Sequence, residues 1–106
     1  MLRYLYVIAG ETAPSKIGIA DNPKHRLKAL QTGNPTKLII HYTVPCDNVR
    51  ALERIIHQKL SRHKIKGEWF DLSPEQAIIE VDWIMLHLSE DLDKYLGKNA
   101  LSLAKI

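Results

Sequence analysis

The sequence predicts a single small domain of the mixed α/β (α+β) class. Its 106 residues correspond to the length of one domain, and a hydrophobic content of 45% is enough for a modest core. Segments rich in β-forming residues alternate with segments whose apolar residues recur at helical spacing. No internal repeat, linker or low-complexity tract divides the sequence, so we expect one domain spanning residues 1–106.

A hairpin of two strands, a helix and a third strand are expected in the first half of the chain. Residues 2–9 are rich in Leu, Tyr, Val and Ile, and a turn separates them from a second strand over the short apolar segment 16–20. A helix over residues 23–33 begins with a proline, which suits the first helical turn, and ends at a glycine. Residues 37–44 then form a third strand, which Pro45 ends.

Two longer helices are expected in the second half. The first has about sixteen residues from Asp47, with an apolar stripe at helical spacing. This stripe consists of Val49, Leu52, Ile56 and Leu60. Residues 68–72 are short and extended, and Ser73 opens a capping box for a helix over residues 74–88. A last short helix spans residues 90–96.

The helix over residues 74–88 has an apolar surface wider than one stripe. Such a surface either covers a sheet or meets a second copy of the chain, so a homodimer through this helix is possible.

Composition excludes several classes of protein. The single Cys46 allows no intramolecular disulfide and no zinc cluster. The first nine residues are too short and too β-like for a signal peptide, and no apolar run approaches the length of a membrane span. We therefore expect a soluble cytoplasmic protein with no membrane partner.

Charge is distributed unevenly along the chain. The net charge is zero over residues 1–21, +8 over residues 22–66 and −5 over residues 67–106. A basic middle and an acidic end favour one face for a polyanion, although surface charge can also cluster by chance.

The joint between the second strand and the first helix carries Arg26 in the first helical turn. An arginine at such a position can hold a phosphate, because its guanidinium is a rigid, permanently charged fork of donors. The alternative is an ordinary strand–helix joint with a solvated basic face.

Five short segments occur in an order that resembles the GIY-YIG nuclease superfamily, and more closely its compact phage and bacterial branch. They are Tyr4-Leu5-Tyr6, Lys16-Ile17-Gly18, Leu30-Gln31-Thr32-Gly33-Asn34-Pro35, Leu52-Glu53 followed by His57, and Gly67-Glu68-Trp69-Phe70. The resemblance covers residues 3–72. It implies a three-stranded antiparallel sheet flanked by helices, with residues 73–106 as a helical extension. It also implies an intracellular location, possibly the host cell of a phage.

The resemblance further implies phosphodiester hydrolysis. Glu53 would hold Mg²⁺ or Mn²⁺, Tyr6 would position or deprotonate a water, and Arg26 would clamp the phosphate. Lys16 stands where the second motif of the superfamily has a tyrosine, and no late asparagine supports the metal region. A free tyrosine is a poor base near neutrality, so we hypothesise that the Lys16 ammonium lowers the Tyr6 pKa or contacts phosphate directly.

Each of these residues also has a structural interpretation. His57 could donate to phosphate or support Glu53, or it could be a partly buried helix histidine. Glu53 could be a surface glutamate paired with a basic neighbour, and Tyr6 a half-buried strand tyrosine. Trp69 and Phe70 could stack on bases but are more typical of a core.

Further basic residues would contact phosphates without sequence preference. They are Lys24, Lys28, Arg50, Arg54, Lys59 and Arg62. The sequence therefore favours a metal-dependent endonuclease of low intrinsic specificity acting on nucleic acid, with DNA the expected substrate. The alternative is a catalytically inactive nucleic-acid-binding or regulatory module of the same fold.

Overall fold

The computed structural model describes residues 3–47 and 49–87. The elements, in chain order, are β1 (Arg3–Ala9), β2 (Ser15–Ala20), α1 (Pro23–Gln31), β3 (Ile39–Cys46), α2 (Val49–Lys59), a 3-10 turn (Ser61–His63), β4 (Lys64–Lys66), β5 (Trp69–Phe70) and α3 (Pro74–Leu86). The predicted helix over 90–96 and the Val49 side chain lie outside the described part.

The strands form one five-stranded sheet in the order β3-β1-β2-β5-β4, with every neighbouring pair antiparallel. β1 lies between β3 and β2, and Tyr6 is opposite Gly18 of β2 on one side and Thr43 of β3 on the other. The predicted α+β class is confirmed. The predicted sheet of three strands is extended by β4 and β5, a short hairpin that turns at Gly67.

Two predicted boundaries differ from the observed ones. β3 continues through Pro45 to Cys46 instead of ending before the proline. Pro45 is tolerated because β3 is an edge strand, where a missing N–H breaks no hydrogen bond to a second neighbour. α2 has 11 residues and not about sixteen, because the chain tightens into a 3-10 turn and then enters β4.

Apolar side chains cover both faces of the sheet. On one face, Leu5, Val7 and Ile17 pack against α2 and α3. On the other face, Tyr6 and Ile8 pack with residues that include Leu27 and Leu30 of α1. This alternation follows from the period of two in a β-strand, so neighbouring residues of β1 serve different layers.

α3 begins as predicted with a capping box. The Gln76 N–H donates to Ser73 Oγ (3.1 Å), and the Ser73 N–H donates to Gln76 Oε1 (3.2 Å). The helix covers the sheet with the side chains of Pro74, Ala77, Val81 and Ile84. Its outer side leaves Ile79, Trp83 and Leu86 exposed by 65%, 55% and 81%. The homodimer through this helix stays a prediction.

None of the helices within residues 3–47 and 49–87 has both the length and the apolar character needed to cross a bilayer.

Replacing Ser73 with alanine removes the side-chain half of the capping box. We expect Ser73→Ala to lower the free energy of unfolding by about 0.5–2 kcal/mol, because the first turn of α3 loses an acceptor for one N–H group. Urea denaturation measures the change. The exposed Ser61→Ala serves as the control, and equal stabilities of the two variants would contradict the role of the cap.

Candidate active site

An open cleft lies at the edge of β2, beyond the end of β5. β5 pairs only with Ser15 and Lys16, so it leaves the later part of β2 without a strand neighbour on that side. α1 approaches this edge from one face of the sheet and α2 from the other. The cleft has a volume of about 440 Å³. We call it the arginine cleft; it is lined by Arg3, Ile19, Arg26, Arg50, Glu53, Arg54, His57 and Glu68.

Charge in the arginine cleft is unequal, with four arginines against two glutamates. Arg3 is already paired, since its Nε donates to Asp21 Oδ1 at 2.7 Å. The other three guanidinium groups exceed the two carboxylates, so the cleft attracts an anion. Planar guanidinium groups match the geometry of phosphate oxygens.

Arg26 enters this cleft because of the way α1 begins. Asn22 caps the helix by accepting a hydrogen bond from the His25 N–H (3.2 Å), and Pro23 occupies the first helical turn. This start places Arg26 in the first turn, exposed, in the same cleft as Glu53. The two residues that the predicted site needs most therefore lie on one side of the molecule.

Tyr6 is completely buried, and its hydroxyl has no hydrogen-bond partner among the residues that the structure describes. It lies across the sheet ladder from Gly18, whose missing side chain makes room for it. A Cβ on Gly18 would lie 2.7 Å from Tyr6 Oη and 2.6 Å from Glu68 Oε1. Glycine is therefore required at this position, because it lets the phenol and a carboxylate meet over the strand.

The pKa of Tyr6 changes in the direction opposite to the one hypothesised. Burial raises it most, the nearby Glu68 carboxylate adds to the rise, and Arg26 opposes them only in part, so that the pKa of Tyr6 is raised to about 12. The hypothesis that the Lys16 ammonium lowers the Tyr6 pKa is thus wrong, and a direct contact of Lys16 with phosphate stays a prediction. Tyr6 is protonated at neutral pH and can donate its hydroxyl hydrogen, but it cannot accept a proton from water.

Lys16 pairs with Glu68, which explains why it does not lower the pKa of Tyr6. Its Nζ lies 3.3 Å from Glu68 Oε1 and 5.4 Å from the centre of the Trp69 ring. The side chain is only 12% exposed, so the ammonium is held between a carboxylate and an aromatic face. It neutralises Glu68 and has no direct effect on the phenol.

Glu53 has a buried oxygen, Oε2, that accepts no hydrogen bond from residues 3–47 and 49–87. Burial raises the pKa of Glu53, and the neighbouring Glu68 raises it further through its charge and through a hydrogen bond between the two side chains. His57 and Arg3 lower it by less. The folded protein therefore holds this carboxylate in a position where its negative charge is incompletely compensated.

His57 closes the edge of β2. Its Nε2 lies 2.9 Å from the carbonyl oxygen of Ile17, and the Ile17 N–H donates to Glu68 O (3.0 Å). Because a carbonyl oxygen can only accept, Nε2 carries the proton, and in the neutral ring Nδ1 keeps a lone pair. The ring also packs edge-on against Phe70 at 5.0 Å. His57 thus lines the cleft while holding a strand edge, so both predicted interpretations describe part of its environment.

The other predicted basic residues do not all reach the cleft. Arg50 and Arg54 line it. Lys24 and Lys28 lie on another side of α1, around a surface that includes Leu27 and Thr32. Lys59 and Arg62 are not among its lining residues, and Arg62 Nε donates to His63 Nε2 (3.2 Å).

Glu68 is the residue that sequence reasoning missed. In the sequence it belongs to the segment Gly67-Glu68-Trp69-Phe70, from which no role for Glu68 is predicted. The signal that could have found it is an acidic residue directly before a short strand that must pair with the motif strand β2. Arg3 was missed as well.

A divalent cation fits the residues present. Within the described residues there is no group of three or more His, Cys, Asp or Glu side chains arranged for a metal. Mg²⁺ does not require three such ligands, since one or two carboxylates and several waters are enough to hold it. Glu53 and Glu68 supply two carboxylates, and the unpartnered Glu53 Oε2 and Tyr6 Oη are the kind of oxygen atoms that such an ion or its waters satisfy.

The fold and this cleft define a small α+β domain in which four arginines and two carboxylates line one cavity. The sequence matches the family described as the T5orf172 domain over residues 3–85, so the chain belongs to that family, a nuclease-like and phage-associated class. No match was found among curated proteins, and none among solved structures.

Replacing Gly18 with alanine tests the contact between β2 and the two oxygen atoms. We expect Gly18→Ala to lower the free energy of unfolding by about 1–3 kcal/mol, because the new methyl group would displace Tyr6 or Glu68. In a Tyr6→Phe background the cost should be smaller, since the hydroxyl oxygen, one of the three atoms within 3.0 Å of the new methyl group, is gone. Thermal denaturation of the four proteins in this cycle measures the coupling, and additive effects would contradict the contact.

The raised pKa of Glu53 predicts a pH-dependent stability without metal. An acid whose folded-state pKa is raised destabilises the fold above that pKa and has no effect below its ordinary value of about 4.3. Glu53→Gln should therefore melt higher than the parent protein at pH 7–8, by roughly 2–4 °C after allowance for solvent screening. The difference should vanish as the solution is acidified through the raised pKa. Glu11→Gln, at an exposed turn, should show no such rise.

Proposed function

We propose that this domain is a metal-dependent endonuclease of the GIY-YIG type that hydrolyses phosphodiester bonds in nucleic acid, with DNA as its substrate. The observation that carries the proposal is the arginine cleft itself: Arg26 and Glu53, from helices on opposite faces of the sheet, line one cavity. The buried, unpartnered hydroxyl of Tyr6 lies close enough to this pair for both charges to affect its pKa.

The phosphate is held by arginines. Arg26 is fixed by the capped start of α1, while Arg50 and Arg54 come from α2. Their guanidinium groups bind two phosphate oxygens and stabilise the negative charge that grows on them in the transition state. Since none of these contacts involves a base edge, this part of the site acts on any sequence.

Two protein groups handle the hydrogen atoms of the attacking water. Tyr6 is protonated, and its Oη, which has no partner within the described residues, would donate a hydrogen bond that orients the water or a phosphate oxygen. His57 uses its Nε2 proton for Ile17 O, so its Nδ1 lone pair is the atom that accepts a proton from the water. Lys16 holds Glu68 in place from the other side.

Glu53 and Glu68 are the residues that would hold Mg²⁺ or Mn²⁺. When bound, the ion supplies charge neutralisation at the phosphate and a more acidic water. Ion binding would also offset the charge that burial and the second carboxylate leave uncompensated on Glu53. This role would explain why two carboxylates lie together in the cleft.

Nicking of supercoiled plasmid DNA with Mg²⁺ or Mn²⁺ tests the proposal. The parent protein should nick, while Glu53→Gln and Arg26→Ala should each slow nicking by about 10²-fold or more, the loss expected when one group stabilising the transition state is removed. Glu75→Gln and Lys66→Ala make the same charge changes outside the cleft and should keep the parent rate. Gel-shift assays on the same proteins report binding separately.

Three outcomes can be told apart. Lost nicking with retained binding in the two cleft variants supports the nuclease. Unchanged nicking in either of them contradicts the site. A parent protein that binds DNA but nicks it with neither metal supports the inactive binding module instead.

A further inference from the structure

A second cavity of about 410 Å³ lies between two loops, next to the arginine cleft but outside it. We call it the loop pocket. It is lined by Gly10, Glu11, Thr12, Ala13, Pro14, Asn34, Thr36, Leu38 and Trp69. Its volume is in the range typical of sites for small organic ligands, roughly 300–1,000 Å³. The proposed chemistry uses none of these residues.

The wall contributed by the Leu30–Pro35 segment and the residues after it is held in one shape by Gln31. Gln31 Nε2 donates to Asn34 O (3.2 Å) and Thr36 O (2.9 Å). Gln31 Oε1 accepts from the Leu38 N–H (2.8 Å), and Asn34 Oδ1 accepts from the Thr36 N–H (2.9 Å). These bonds organise the loop before any ligand arrives, which reduces the entropy that binding must overcome.

The opposite wall can approach the first one closely because Gly10 has no side chain. A Cβ there would lie 2.8 Å from Thr36 Cγ2, so a larger residue would push the two loops apart. His41 Nε2 lies 2.9 Å from Gly10 O and donates to it, which fixes the same point from β3. The pocket is thus a built cavity between two anchored loops.

The lining chemistry suits a flat heteroaromatic ring with hydrogen-bonding edges. Trp69 supplies an aromatic wall, and aromatic side chains stack on any base. Asn34 uses its Oδ1 within the loop, which leaves its Nδ2 hydrogens as donors to a base. Glu11 offers acceptors for an exocyclic amino group and at the same time repels a phosphate.

The arginine cleft and the loop pocket are lined by two residues that follow each other in the chain. Glu68 lines the arginine cleft, and the next residue, Trp69, lines the loop pocket. Lys16 lies between them, 3.3 Å from Glu68 Oε1 and 5.4 Å from the Trp69 ring centre. A nucleotide whose phosphate is in the cleft can therefore place its own base or an adjacent one in the pocket, with Lys16 beside the connecting backbone.

We propose that the loop pocket binds one unpaired nucleobase of the nucleic acid whose phosphate occupies the arginine cleft. Because the ligand is the substrate of the nuclease, this assignment rests on the proposed function. It adds a preference for single-stranded, flipped or frayed DNA, since a paired base inside a duplex cannot reach Trp69.

Abasic scanning tests this assignment. The probe is a fluorescein-labelled 12-nucleotide single-stranded DNA in which one position at a time lacks its base, and binding is measured by anisotropy on the Glu53→Gln protein. We expect the loss of one particular base to weaken binding about 5- to 150-fold, the equivalent of about 1–3 kcal/mol for one stacked base. Loss of any other base should have a small effect.

The same scan on pocket variants assigns the base to this cavity. In Trp69→Phe, which keeps an aromatic ring in the core, and in Asn34→Ala, the penalty at that position should shrink. Trp83→Phe on α3 is the matched control and should preserve it. Circular dichroism melts identify a variant that has lost its fold, and the other variant then decides the result.

Each result bears on the pocket separately from the nuclease. A flat scan, an unchanged penalty in both pocket variants, or no binding of the oligonucleotide at all overturns the assignment. If plasmid nicking is normal while the scan is flat, the nuclease stands without a base pocket. If the penalty is found but nicking is absent, the pocket belongs to a binding module.

Discussion

The absence of a side chain at Gly18 is the constraint on which the candidate active site depends. β1 and β2 pair so that Tyr6 lies opposite Gly18, and the space above that glycine receives both the phenol oxygen and the Glu68 carboxylate. The carboxylate pairs with Lys16 and adds to the rise that burial produces in the pKa of both Tyr6 and Glu53. One missing methyl group therefore allows the phenol and the carboxylate to meet.

The arginine cleft begins where β5 ends, because β5 pairs only with the first residues of β2. Since β5 is two residues long, the edge of β2 beyond it is reached by helices from both faces of the sheet. α1 contributes Arg26, and α2 contributes a carboxylate, two arginines and the histidine that satisfies Ile17 O. A longer β5 would pair with the later part of β2 and occupy the edge at which the cleft now lies.

Sequence patterns were enough for the features that depend on neighbours along the chain. The cap and proline of α1 place Arg26, and the helical period of α2 separates Glu53 from the buried stripe of Leu52, Ile56 and Leu60. Sequence patterns did not predict the position of Glu68, the partner of Lys16 or the direction of the Tyr6 pKa shift. Each of these depends on contacts that the pairing of strands across the sheet creates. A two-residue strand has no periodicity of its own and exists only through its contact with β2. Lys24 and Lys28 could be assigned to a helix, but their position away from the cleft follows from how α1 packs.

The order of the elements has a consequence during synthesis of the chain. Arg26 and Glu53 emerge early, but Glu68 and β5 come later, and the buried face of α3 completes the core only after residue 74. A nascent chain that stops before residue 68 lacks one carboxylate and the strand that orders the edge of β2. Translation therefore delivers Arg26 and Glu53 before the strand that completes their cleft and before the helix that completes the core.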